Sequence, residues 1–97
     1  MNIRELREFY TNHLKETLLP FWLNNAVDKE YGGLYTCFDN SGKHLVSTDK
    51  YTWSQGRIVW FFSKLSELDI FSDEEKRRFI ELAGSTADFL MKNCLLP

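Results

Sequence analysis

Residues 50–65 read Lys-Tyr-Thr-Trp-Ser-Gln-Gly-Arg-Ile-Val-Trp-Phe-Phe-Ser-Lys-Leu, and the group among them best placed to do chemistry is the guanidinium of Arg57. On a helix turning about 100° per residue, Trp53 and Arg57 share a face, with Trp60 one turn further on. A charged fork between two indoles on a buried helix is costly unless something polar meets it. Ile58, Phe61, Phe62 and Leu65 fill the remaining circumference, so the helix is expected to be apolar nearly all round and to lie inside the protein. That setting makes Arg57 a candidate site residue. The alternative is a structural arginine stacked on Trp53 or Trp60, worth ~1 kcal/mol as a cation–π contact.

The elements that must position this helix follow from periodicity. Ile3, Leu6, Tyr10, Leu14, Leu18 and Phe21 recur at helical steps, which predicts a first helix over 2–19, stopped or kinked at Pro20. Asp28 to Gly33 is rich in turn residues, residues 34–38 alternate as a strand, and Asp39-Asn40-Ser41-Gly42 turns the chain into a second strand at 44–47. Tyr31 and Tyr35 of this hairpin are secondary site candidates, since loops on a rigid scaffold carry binding groups. Packing that fixes the hairpin is the competing role. The second helix is predicted from about 49–51 to 68, with Gly56 reserved for close approach by a neighbour or ligand. Gln55 points away from Trp53 and is assigned to securing this helix to the hairpin. Ser72 and Glu75 form a capping box that opens a third helix over 73–93, with Phe79, Ile80, Ala83, Ala87, Leu90 and Met91 inward. The chain then runs out at Leu95-Leu96-Pro97 without a polar tail.

Composition narrows the classes. Of 97 residues, 43% are apolar and 27% charged, the balance of a soluble globular protein. Aromatic residues make up 15%, which suits a heavy core or an aromatic-lined pocket of the kind that takes sugars. A net charge of −2, with lysines and arginines interspersed among acids, argues against nucleic acid as a partner. No run approaches the length of a membrane helix, and no secretory leader pattern opens the sequence. Cys37 and Cys94 have no partner motif and are assigned to packing, which suits a reducing cytoplasm. His13 borders the first helix's apolar stripe and reads as a boundary residue in preference to an acid–base group. The two histidines and two cysteines lack the spacing of a zinc site, and no phosphate or dinucleotide fingerprint is present.

Three motifs, in this order, resemble the N-acylglucosamine 2-epimerase family, whose relatives include cellobiose 2-epimerases and mannose-type isomerases. They are Leu19-Pro20-Phe21-Trp22, then Asp28-Lys29-Glu30-Tyr31-Gly32-Gly33, then Lys50-Tyr51-Thr52-Trp53-Ser54-Gln55-Gly56-Arg57, which fits Lys-x-x-Trp-x-Gln-x-Arg. The resemblance implies a mainly α fold, an (α/α)6 toroid of which residues 1–97 would be an incomplete N-terminal portion with about three helices and one inserted β-hairpin. It implies a sugar 2-epimerase or aldose–ketose isomerase that removes the C2 proton, passes through an enediolate and returns the proton, without a cofactor. Arg57 would bind the sugar oxygens and stabilise the enediolate, being always charged and planar. Trp53 would orient Arg57 or border the pocket. The family's two acid–base histidines lie on later helices; His13 and His44 match neither, so these residues alone are expected to be inactive. The partner implied is a small-molecule sugar, with a homodimer left open. Two alternatives stand: a non-catalytic carbohydrate-binding or interaction module on the same scaffold, and, last, a glycoside hydrolase, which would need two flanking carboxylates.

Overall fold

The computed structural model describes residues 2–94, so the expected ending at 95–97 lies outside the described residues. The order is α1 (Ile3–His13), a π-helical turn (Leu14–Leu18), α2 (Leu19–Asn25), β1 (Cys37–Phe38), β2 (Leu45–Ser47), α3 (Thr52–Leu65) and α4 (Asp73–Asn93). This is a mainly helical chain carrying one small antiparallel hairpin, as expected. None of its described helices is long and apolar enough to cross a membrane.

The first helical stretch neither stops nor ends at Pro20. It runs on to Asn25, and the π turn is the reason. Across that turn the Leu19 amide donates to the Leu14 carbonyl, so the ordinary ladder is already interrupted just before the proline. Pro20 then occupies the first turn of α2, where a missing amide costs little. Asn2 caps α1 by accepting from the Glu5 amide at 2.8 Å. At α4 the expected capping box is present: the Glu75 amide donates to Ser72 Oγ at 3.2 Å, and the Ser72 amide to Glu75 Oε1 at 3.0 Å.

α3 packs on α4, and the core lies along that seam. Phe79 stands edge-on to Phe71 at 4.9 Å and tilted against Phe62 at 5.8 Å. Leu19, Ala26, Leu34, Leu65, Leu82 and Ala83 complete the buried set. Each large side chain there contributes ~1.5–3 kcal/mol by leaving water. Lys15 in the π turn donates to the Ile70 carbonyl at 2.6 Å, tying the first helical stretch to the α3–α4 connection. Phe21, Trp22 and Phe38 meet edge to face at 5.1–5.9 Å and seat the hairpin on α2.

The strands are shorter than expected. Cys37 pairs with Ser47 and Phe38 with Leu45, with a bulge between the two pairs. Residues 34 and 35 do not join this ladder, because Leu34 bridges to Val27 and the Tyr35 amide donates to the Ala26 carbonyl at 2.7 Å.

Burial corrects three further expectations. α3 is not enclosed: it buries Ser54, Gln55, Phe62 and Leu65, while Trp53 is 67% and Trp60 63% exposed. α1 buries none of its residues and among the elements touches only the π turn that continues it. On α4 the buried residues are Phe79, Leu82, Ala83 and Thr86; Ile80 and Met91 are exposed. The common cause is missing neighbours: α3 and α4 cover one another along a narrow stripe where a wide face is apolar, and α1 has no element packed against its side among the described residues. A radius of gyration of 14.8 Å agrees, against about 12.5 Å for a compact chain of this length.

For Gly56 the expected close approach by a neighbour is corrected. A Cβ built there meets nothing within 4 Å among the described residues, so no neighbour requires the glycine. Gly56→Ala is therefore expected to raise the stability of this chain by up to ~1 kcal/mol in urea unfolding; a loss of stability would mean that another surface rests on Gly56.

Candidate functional site

The segment joining α2 to β1 has only an isolated bridge and a few backbone bonds of its own, and side chains satisfy much of the rest. Asp28, buried at the head of the loop, accepts at Oδ1 from the amides of Glu30 at 2.9 Å and Tyr31 at 3.1 Å. The backbone closes on itself, with the Asp28 amide donating to Gly33 and the Gly32 amide donating back to Asp28, both at 3.1 Å. Lys50, just before α3, donates to Asp28 Oδ2 and, at 2.8 Å, to the Gly32 carbonyl. The two charged side chains are 7% and 4% exposed. The ammonium also lies over the rings of Tyr35 at 4.6 Å and Phe89 at 4.9 Å.

Gln55 completes the attachment from within α3. Fully buried, it accepts from the Leu34 amide at 3.0 Å and donates to the Leu34 carbonyl at 2.8 Å, the role expected of it. Gly33 is held between these groups with φ of +73°, and a Cβ there would fall 2.8 Å from Gln55 Oε1 and 3.3 Å from Phe89. Both the conformation and the space demand glycine.

Electrostatics follow from the packing. Burial pushes the Asp28 carboxyl up, but Lys50 and the Tyr31 and Glu30 amides outweigh it and hold the pKa at about 2. The Asp28 carboxylate in turn raises the Tyr35 hydroxyl, favouring its neutral form.

Beyond this loop, α3 presents Arg57. Its guanidinium carbon lies 5.8 Å from the Trp53 ring, so the expected pairing of these two is present. The residue is exposed, however, not turned inward: it stands at the rim of an apolar cleft of about 240 Å³ walled by Trp22, Leu34, Thr36, Ile58, Phe61 and Phe62. On its other side a shallow groove runs over Gly56 between Trp53 and Trp60. The fork is thus reachable by solvent and lies beside concave surface.

The remaining candidates separate. Tyr31 is exposed, and Tyr35 is half-buried against Lys50. Neither tyrosine lines either hollow beside Arg57. His13 is exposed with its ring stacked on Phe9, and His44 is exposed in the hairpin. Cys37 and Cys94 are free and half-buried. Asp28 and Lys50 went unassigned at the sequence level although both stand in the matched motifs. An acid heading a double-glycine loop and a lysine opening the next helix were the available signal.

The depressed Asp28 pKa predicts a pH dependence. Its folded value of about 2 lies below an ordinary carboxyl near 3.8, so its contribution is complete above that and is lost as pH falls toward 2. Ser41 lowers Asp39 and the Ser72 backbone lowers Glu75, so these add slope of the same sign. Urea midpoints measured from pH 5 to 2 should fall, and Asp28→Asn should make that fall shallower. At neutral pH the variant leaves Lys50 buried without its partner and should lose ~3–5 kcal/mol. An unchanged slope would contradict the assignment.

The chain is 32% identical over 98 aligned positions to the N-acylglucosamine 2-epimerase of Mus musculus, covering 92% of this chain and 21% of that protein. The N-acylglucosamine 2-epimerase of Homo sapiens is 29% identical over 77 positions, covering 79% of this chain and 17% of that one. The cellobiose 2-epimerase of Dictyoglomus turgidum is 31% identical over 102 positions, covering 98% and 23%. No family model and no solved structure matches. The chain spans about a fifth of the length of the curated relatives it matches. With the Asp28–Gly33 loop, Lys50, Gln55 and Arg57 in the order that the resemblance requires, this chain is similar to N-acylglucosamine 2-epimerases and to a cellobiose 2-epimerase over about a fifth of their length.

Proposed function

We propose that these residues are part of a sugar 2-epimerase or aldose–ketose isomerase, to which they supply the arginine that holds the sugar oxygens. The observation that carries this is the placement of Arg57 at the rim of a cleft, on a helix fastened beneath it by Gln55 and Lys50. The relatives, all named as 2-epimerases, supply the reaction class.

A hydrogen at C2, α to the carbonyl of an opened sugar, is weakly acidic. Its removal places negative charge on the carbonyl oxygen, and the barrier falls if a donor already waits there. Arg57 suits this task because its charge survives at any working pH and its fork can reach two adjacent oxygens. Beside the apolar walls of the cleft its field is less screened than in open water. Trp53 steadies the guanidinium from its exposed side. Tyr31 and Tyr35 line neither hollow beside Arg57 and are left out of the pocket; Tyr35 packs on Lys50 instead. The base and acid that move the C2 proton come from outside these 97 residues, within a larger helical toroid, and no cofactor takes part. A cytoplasmic setting fits the two free thiols.

One observation favours a second reading. The exposed faces of Trp53 and Trp60 flank the open groove over Gly56 and offer flat apolar surface to a sugar ring. A non-catalytic carbohydrate-binding module would use them without proton transfer.

The test uses a polypeptide spanning the full length of the relatives and follows solvent deuterium into C2 of N-acetylmannosamine, mannose or cellobiose. Exchange is expected on at least one of them, and Arg57→Ala should lower its rate about 10²–10³-fold. The 97-residue chain alone should give no exchange above buffer. Full exchange in Arg57→Ala would refute the assigned role; sugar binding with no exchange in the parent would favour the second reading.

A further inference from the structure

The lysine of the third motif has no part in the chemistry above, yet it is buried and makes contacts on several sides. Tyr51 caps α3 without a side-chain bond, so the start of that helix is held from outside, by Lys50. The cleft that Arg57 borders is lined by Leu34 and Thr36 as well. Gln55 grips Leu34 at both backbone groups, which fixes one point of the loop. The backbone bonds from Tyr35 to Ala26 and from Asp28 to Gly33 close the neck of the loop but tie it to itself and to the end of α2, not to the start of α3. Lys50 grips Gly32 and Asp28, giving a second point, and Gly33 between them packs against Gln55, Phe89 and the Lys50 stem at 2.8–3.5 Å as judged from a Cβ position. We infer that Lys50 is a positioning residue: by fixing the loop at Gly32 it sets the Leu34–Thr36 wall at its distance from Arg57. This rests on the reading of Arg57 as the oxygen-binding group. The competing role is neutralisation of the buried Asp28 charge and nothing more.

The two roles separate when both charges are removed together. Asn at 28 still accepts the Glu30 and Tyr31 amides, and Met at 50 keeps an apolar stem, so D28N/K50M leaves no unpaired buried charge. The 97-residue chain is compared as wild type, K50M and D28N/K50M by urea unfolding, amide hydrogen exchange, and NMR shifts of the Leu34 and Thr36 methyls and the Arg57 Nε–H. K50M should be strongly destabilised, and D28N/K50M should recover most of that loss. In the double variant the Leu34 amide should nevertheless exchange about tenfold faster relative to the α4 amides, because only the local attachment is weakened. The methyl and Arg57 resonances should move with it. Wild-type exchange at Leu34 with unmoved resonances would overturn the proposal. Should D28N/K50M not fold, Lys50→Arg keeps the pair charged while changing the reach to Gly32; the same shifts are expected, and their absence is decisive against it. These readouts need no substrate. Their failure would remove Lys50 and leave Arg57 standing, while failure of C2 exchange would leave this result intact.

Discussion

An ammonium taken out of water must be met on every side, and the arrangement around Lys50 is what makes a loop without strand partners into a rigid part. Asp28 supplies the countercharge, Gly32 a carbonyl, and Tyr35 and Phe89 their ring faces. Removing either charge alone would strand the other in a poorly solvated place. That all-or-none character gives the Asp28–Gly33 loop one position relative to α3 and α4. Gln55 adds two hydrogen bonds that substitute for a missing ladder, so the backbone of Leu34 is satisfied although it lies outside the hairpin.

Function is attached to this frame through short lever arms. Arg57 is two residues beyond Gln55 on the same helix, and Leu34, gripped by Gln55, is part of the cleft that Arg57 borders. Gly33 is a consequence of the same crowding, since a side chain there would strike Gln55 and Phe89. The motif residues thus divide into those that hold, Asp28, Gly33, Lys50 and Gln55, and one that reaches outward, Arg57. The exposed apolar surfaces of α1, of the Trp53–Trp60 ledge and of α4 belong to a chain that spans about a fifth of its relatives' length.

Local signals were legible where local physics decides. The Ser72–Glu75 box and the helix it opens, the turn at Asp39–Gly42 and the task of Gln55 all follow from short-range patterns. The π turn did not, because a five-residue hydrogen-bond step has no residue signature and Pro20 read as a stop. The burial of α3 was misjudged for another reason: apolar periodicity says which residues could be covered, not how many neighbours are there to cover them. The Asp28–Lys50 pair joins residues 22 apart, beyond the reach of any periodic pattern. Arg57 stands out in the sequence as a charged group on an apolar helix, but the inward setting expected for it is replaced by exposure at the rim of a cleft.

The most direct measurement of the central claim is a crystal structure of a full-length protein carrying this stretch, with an open-chain sugar alcohol bound. The account predicts the Arg57 guanidinium within hydrogen-bonding distance, about 2.7–3.2 Å, of the oxygens at C1 or C2, with the Asp28–Lys50–Gly32 contacts intact beneath it. A sugar bound elsewhere while Arg57 stays stacked on Trp53 would contradict it.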